Sequence, residues 1–210
     1  LSLVALFFLF PVLAIVCVIL FFTGENKIFY YQTRVGKDFV TFKLMKFATM
    51  LENSPNLETG TITVKNDPRI LPFGKLLRKT KINELPQLIN VLRGDMSLIG
   101  PRPLTEQTFS AYTKDVAAII CSVRPGLSGV GSIVFRDEEK FLENAEDPLK
   151  TYFTQIAPLK GELERWFVER VSIKLYFYLI FATILVVMRP SADVLFRKYP
   201  DLKSIFLGEK

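Results

Sequence analysis

Residues 1–22 carry no charged side chain, and Ser2 is the only hydroxyl among them. At about 1.5 Å per residue, a helix of this length reaches roughly 33 Å, enough to cross the hydrocarbon core of a bilayer. Pro11 stands at its centre. A proline there removes a backbone hydrogen bond and clashes with the preceding turn, and in lipid the freed carbonyl needs another partner. The segment therefore either spans with a kink or bends at Pro11 and returns to the face it entered. The residue pattern alone favours the span. It does not read as a cleaved signal peptide: no basic segment precedes it, and no small-x-small site appears before Gly24. The first residue is Leu rather than Met, so further residues are expected upstream.

The rest of the chain must be compatible with that segment. With 210 residues there is room for one compact domain plus an appendage. Histidine is absent, which excludes Ser-His-Asp and Cys-His devices and any His-ligated metal. Cys17 and Cys121 are isolated and make neither a zinc cluster nor a disulfide framework, so a reduced compartment is expected. The net charge is only +6, and the aromatics lie mostly in apolar segments. No nucleic-acid partner is expected.

Aromatic and β-branched runs at 28–31 and 39–42 flank a turn-rich link at 33–38 and predict a β-hairpin. Residues 53–69 read as a loop. Helices are predicted over 70–79 and 83–93, the second from Leu85, Leu88, Ile89 and Leu92, with Gly94 as its C-cap. Two prolines and a glycine make 97–104 irregular, 106–122 is helical, and 124–131 is a glycine-rich loop. Residues 136–170 are charged and helical, with breaks predicted at Pro148 and Pro158. Asp137-Glu138-Glu139 reads as a solvated helix face, and Trp166-Phe167 as packing. The apolar run 175–188 is too short to span comfortably and reads as a buried or an interfacial helix.

The stretch from Leu77 to Pro103 is the most informative. It places Arg78, Lys79 and Lys81 just before a helix N-terminus and Glu84 in its first turn. Helix N-termini favour anions, and arginine forks suit phosphate. Arg102 is set between Pro101 and Pro103, which limits its backbone freedom. A rigidly presented arginine suits a phosphate clamp. The plainer reading is a basic face against acidic lipid headgroups, with Glu84 complementing the helix dipole.

Several motifs follow in order after the apolar segment with its central proline. They are Arg34-Val35-Gly36, Phe42-Lys43 through Lys46-Phe47 to Thr49-Met50, Asp67-Pro68-Arg69, Leu77-Arg78, Glu84-Leu85-Pro86-Gln87-Leu88, Gly94-Asp95-Met96-Ser97, Gly100-Pro101-Arg102-Pro103 and Arg124-Pro125-Gly126. Together, over nearly the whole chain, they resemble the bacterial sugar transferase family, the monotopic phosphoglycosyl transferases. The resemblance implies transfer of a sugar 1-phosphate from a nucleoside diphosphate sugar, usually a UDP-sugar, to undecaprenyl phosphate. The products are the lipid-linked diphosphosugar and UMP, and the step opens capsule, O-antigen or exopolysaccharide assembly. Mg²⁺ is the implied cofactor. The implied location is the cytoplasmic face of the bacterial inner membrane, in contact with membrane lipid through a re-entrant helix bent at Pro11. That reverses the preference for a span. A homo-oligomer is left open.

The resemblance also assigns roles. Arg78, Glu84 and Asn83 are the catalytic candidates, and Arg102, Lys46, Arg124 and Gly126 are the phosphate- and nucleotide-binding ones. Glu84 and Asn83 are the Mg²⁺ candidates. Family members use an aspartate nucleophile in a ping-pong reaction where this chain has Asn83, and an amide oxygen is a poor nucleophile. Ala48, Phe10 and Val130-Gly131-Ser132-Ile133 also depart from the family pattern. The alternative is a catalytically silent relative that binds nucleotide sugar or polyprenol phosphate as a scaffold. The expected fold is α+β, mainly α and membrane-associated. It has a re-entrant helix over 1–23 and a catalytic domain over 24–210 that carries a small hairpin and interfacial amphipathic helices.

Overall fold

The first helix, α1 (Ser2–Phe22), runs unbroken through Pro11 in the computed structural model, which describes residues 1–208 apart from 24, 55–62, 64–66, 144 and 190. Most of the loop expected over 53–69 lies outside the described residues. One stripe of α1 is covered. Val16 and Leu20 pack with Phe47 and Leu77, flanked by Leu13, Cys17, Phe73 and Ile82. Ser2, at the far end, is nearly as buried as Val16, at 7% against 5% exposed. The opposite face is apolar and open, with Phe7, Phe8, Phe10, Ile15, Val18 and Phe22 exposed.

The hairpin forms as expected but is longer. Strands β1 (Phe29–Val35) and β2 (Thr41–Phe47) pair antiparallel, with Tyr30 opposite Lys46 and Arg34 opposite Phe42. In the turn Asp38 and Phe39 both take positive φ, 53° and 62°. Two left-handed central residues give the twist that suits paired strands. The period of two puts Tyr30, Gln32, Arg34, Leu44 and Lys46 on one face. Phe29 and Phe47 stack on the other, with centroids 5.6 Å apart.

Helix α2 (Pro72–Lys79) opens on its proline, whose missing N–H is not needed there. The helix expected over 83–93 is divided. Residues 82–84 form a 3₁₀ turn, and α3 covers only Gln87–Arg93. Pro86 has no N–H to continue the ladder back to Ile82, and it serves instead as the entry to α3. Gly94 closes α3 at φ 85°, as the sequence predicts. Asn90 locks α3 to β2: its Oδ1 accepts from the Met45 N–H at 3.0 Å, and its Nδ2 donates to the Lys43 carbonyl at 2.9 Å.

Residues 97–104 are irregular only from Gly100 onward. Strand β3 (Ser97–Ile99) pairs in parallel with β4 (Gly126–Ser128), which the sequence reading placed inside a glycine loop. Two short helices, α4 (Glu106–Phe109) and α5 (Lys114–Cys121), share the stretch expected to be one. Thr105 and Thr113 cap them by accepting from the N–H groups of Thr108 and Val116. Then follow α6 (Val130–Val134), α7 (Glu138–Phe141), α8 (Pro148–Thr151), a π turn over Tyr152–Ile156 and α9 (Ala157–Arg170). Pro158 does not interrupt the last of these. It lies in the first turn of α9, after the wider π turn.

Helix α10 (Ile173–Met188) buries Leu175, Leu179, Ala182 and Val186, while Phe177, Phe181, Ile184 and Met188 stay exposed. It is half buried and half open, between the two readings offered for 175–188. Helices α11 (Asp193–Lys198) and α12 (Pro200–Leu207) close the main core with Leu195 and Leu202. Trp166 and Phe167 belong to that core, as expected. The fold is thus mainly helical with a small antiparallel hairpin and one long apolar N-terminal helix.

Candidate active site

Glu84 ends the 3₁₀ turn that precedes Pro86. The left-handed Lys81, at φ 60°, aims that turn. The Glu84 Oε1 accepts from the Arg102 Nη2 at 2.8 Å and faces the Lys46 Nζ at 3.6 Å. Three distant segments therefore meet on one carboxylate: β2, the turn before α3 and the proline-flanked loop after β3. Arg34 lies on the Lys46 face of the hairpin, where its Nη1 donates to the Pro103 carbonyl at 3.2 Å.

Cations outnumber the carboxylate. The charges of Arg102, Lys46 and Lys81 all act on Glu84. Arg34 and Arg78 act on Lys46 in turn. Burial alone would raise the Glu84 carboxyl, but Arg102 and Lys46 hold it well below the usual carboxylate range. Burial draws the Lys46 ammonium down against the pull of Glu84, and with Arg102, Arg34 and Arg78 adding to it the result is about 7. Arg102 is raised, chiefly by Glu84. Around Glu84 the cations are in surplus, an arrangement that suits a further polyanion.

Asn83, next to Glu84, is 6% exposed, and its Oδ1 has no hydrogen-bond partner among the described residues. An orphaned buried acceptor awaits a donor or a cation. Arg78 sits in the last turn of α2, its Nη2 donating to the Thr63 Oγ1 at 2.8 Å. Arg124 and Gly126 are not among the contacts of Glu84. Arg124 is exposed and lines a depression of about 730 Å³ together with Leu1, Ser2, Phe167 and Tyr176. The Gly126 N–H donates to the Pro101 carbonyl at 2.8 Å, and a Cβ on Gly126 would stand 2.1 Å from the Gly100 nitrogen. That glycine is required by the close approach of two backbones, and its amide is already engaged.

The described residues contain no group of three His, Cys, Asp or Glu side chains able to hold a metal. Glu138 of the acidic run pairs with Lys160 at 2.7 Å, and Asp137 with Lys140 at 2.9 Å. The residues at 83–84 nevertheless fit a Mg²⁺ that arrives with its ligand. Mg²⁺ commonly takes one or two carboxylates and completes its shell from water and substrate phosphates. Both cation contacts of Glu84 are on Oε1, and the Asn83 Oδ1 is unengaged.

Glu164 belongs to this neighbourhood but was not singled out from the sequence; Arg34 and Lys81 were named there without a role in the site. For Arg34 the signal was present, since the hairpin register places it on the Lys46 face.

The chain matches the family described as bacterial sugar transferase over residues 1–190. It is 34% identical over 154 residues to the exopolysaccharide production protein ExoY of Sinorhizobium fredii, covering 67% of this chain and 68% of that protein. It is 32% identical over 195 residues to a UDP-galactose-lipid carrier transferase of Erwinia amylovora, covering 86% of this chain and 37% of that protein. With the UDP-glucose:undecaprenyl-phosphate glucose-1-phosphate transferase of Escherichia coli the identity is 35% over 141 residues, covering 65% of this chain and 30% of that protein. The chain thus spans about two thirds of the first relative and about a third of the other two.

Proposed function

The chain belongs to the bacterial sugar transferase family, and from that premise we propose that it transfers a sugar 1-phosphate from a UDP-sugar to undecaprenyl phosphate. The observation that carries this reading is the carboxylate of Glu84 with the charges of Arg102, Lys46, Lys81 and Arg34 acting on it, and Arg78 acting on Lys46. Phosphoryl transfer is helped mainly by positioning and by spreading negative charge over fixed cations. In the proposed reaction an oxygen of the lipid phosphate attacks the β-phosphorus of the donor. The bond from that phosphorus to the UMP oxygen breaks, and UMP leaves with the electron pair. Arg102 and Lys46 hold the donor phosphates, and Glu84 fixes both cations. Glu84 and Asn83 would hold Mg²⁺, which draws charge from the phosphate oxygens when bound. The relatives are named for transfer, and nothing in those names favours the silent scaffold. The test is UMP release from a panel of UDP-sugars with undecaprenyl phosphate and Mg²⁺. Release with one sugar supports the reading, and silence with all of them refutes it.

Arg102→Lys and Arg78→Lys each keep the charge but lose the planar fork. Each is expected to lower the transfer rate about tenfold or more, because a lysine cannot make paired N–H bonds to phosphate. Unchanged rate and donor affinity in both variants would remove them from the site.

The membrane placement is part of the same proposal: residues 1–23 lie in the inner membrane and 24–210 at its cytoplasmic face. The open apolar faces of α1 and α10 suit lipid. A helix crossing to the far leaflet would carry its first residues away from the domain. Ser2 is instead buried against it, which supports both ends of α1 staying on one side. Leu1→Cys and Thr23→Cys, in a chain lacking Cys17 and Cys121, are expected to resist an impermeant thiol reagent in intact cells. Labelling of Leu1→Cys from outside would restore a simple span.

A further inference from the structure

Glu164 lies on α9, away from the ion pairs of Glu84, and is 1% exposed. The backbone N–H of Arg102 donates to its Oε1 at 3.1 Å. The Gly131 backbone stands beside the same carboxylate. A Cβ on Gly131 would stand 2.5 Å from Oε1, so the glycine loop closes on this group. Oε2 has no hydrogen-bond partner among the described residues. Pro101 and Pro103 have no N–H, so the Arg102 amide is the one backbone donor through which that three-residue loop can be pinned. A single buried carboxylate takes it.

We propose that Glu164 is the positioning residue for Arg102: its ionised carboxylate fixes the arginine's backbone and so sets the reach of the guanidinium toward Glu84 and the substrate phosphates. The other charged or titratable groups facing Glu164 are Lys160 on its own helix, the Arg102 guanidinium, and Tyr112. Lys160 is itself held by Glu138 at 2.7 Å and lies over the rings of Phe135 and Tyr152. Burial pushes the Glu164 carboxyl up to about 7, against the Arg102 N–H, Lys160, the Gly131 N–H and the Arg102 charge. Near neutrality the group therefore gains and loses a proton at the unengaged Oε2. The Arg102 N–H bond into Oε1 then alternates between charge-assisted and neutral, the latter being weaker.

The two consequences run in opposite directions. Activity rises as pH increases through about 7, because the carboxylate is the working form. Fold stability falls as pH rises from 4.5 to about 7 and levels off above, because between those values the folded chain retains a proton that the unfolded chain has already released.

Glu164→Gln keeps the shape and one carbonyl acceptor but removes the charge. At alkaline pH it is expected to lower kcat/KM about tenfold. The rise of activity through about pH 7 should vanish. The decline of thermal stability from pH 4.5 to about 7 should flatten, and amide hydrogen exchange at Arg102 should speed up by about fivefold or more. Combined with Arg102→Lys, the losses should be less than additive, because both act through one side chain. Gly131→Ala, which presses on Oε1 from the other side, should also accelerate exchange at Arg102. An unchanged rise of activity through about pH 7, or unchanged Arg102 exchange in both variants, overturns the proposal. The activity arm rests on the sugar-phosphate reading. If the wild type turns over no nucleotide sugar, that reading fails by itself, while Arg102 exchange and the pH dependence of unfolding still decide the role of Glu164.

Discussion

Glu84→Gln is expected to abolish transfer, with a loss of about 10²–10³-fold or more, the scale seen when a preorganised electrostatic group is removed from a reacting centre. The expectation follows from what the carboxylate does among its neighbours. It accepts from Arg102 at 2.8 Å and pairs with Lys46 at 3.6 Å, and among the described residues it is the anion those two cations share. A glutamine can still accept one bond from Arg102, so the fold should survive. Its amide cannot balance two cations, and it is a weaker Mg²⁺ ligand. The Lys46 ammonium, already drawn down to about 7 with Glu84 opposing the fall, should drop further. A neutral lysine would then contribute no charge to the donor phosphates at working pH. The measurement is steady-state UMP release across a range of pH, with thermal unfolding as the control for folding. Wild-type turnover in the variant would remove Glu84 from the mechanism.

Elements set by local rules were legible. The aromatic and β-branched runs of the hairpin, the end of α2 at Lys79 and Gly94 closing α3 are properties of a few adjacent residues, and they appear where the pattern puts them. The parallel pairing of β3 with β4 was not legible, because its partners lie far apart in the chain and neither strand is long enough to show a period. The site divides in the same way. Arg102 and Glu84 could each be singled out, one by its flanking prolines and the other by its place before a helix, but nothing local says that they touch. Glu164 lies among Glu162, Arg165 and Glu169 in a stretch that reads as a solvated face. Its burial comes from the glycine loop and the Arg102 loop closing over α9, a tertiary event with no signature in the spacing. Arg124 and Gly126 are named by the resemblance alone; in the structure Arg124 is exposed and the Gly126 amide donates to the Pro101 carbonyl.

Position 83 tests whether the machinery of the family survives around a changed residue. Asn83→Asp is expected to convert the enzyme from one that needs both substrates before UMP appears to one that releases UMP from the donor alone. The substitution is isosteric, and the position is 6% exposed with its Oδ1 unpartnered, so the new carboxylate displaces no bond made by that oxygen. A buried carboxylate is costly when isolated, but this one would stand beside Glu84, on which the charges of Arg102, Lys46, Lys81 and Arg34 act. The surplus positive charge should keep it ionised, as it does Glu84. An oxygen of the introduced carboxylate can then attack the β-phosphorus of the bound donor. A phosphorus–oxygen bond to the protein forms as the bond to UMP breaks, and the lipid phosphate later displaces the carboxylate. Glu84 cannot take this role by default: adjacent residues on a 3₁₀ turn point about 120° apart, and its Oε1 is already held by Arg102 and Lys46. The expected readout is a burst of UMP equal to the enzyme present, without undecaprenyl phosphate. The mass of the intact chain should rise by one phosphosugar, and the wild type should show neither. A variant that stays dependent on the lipid phosphate and acquires no adduct would mean that the donor's β-phosphorus lies out of reach of residue 83. Direct attack by the lipid phosphate would then be imposed by the placement of the donor, and the amide at Asn83 would be a consequence of that geometry.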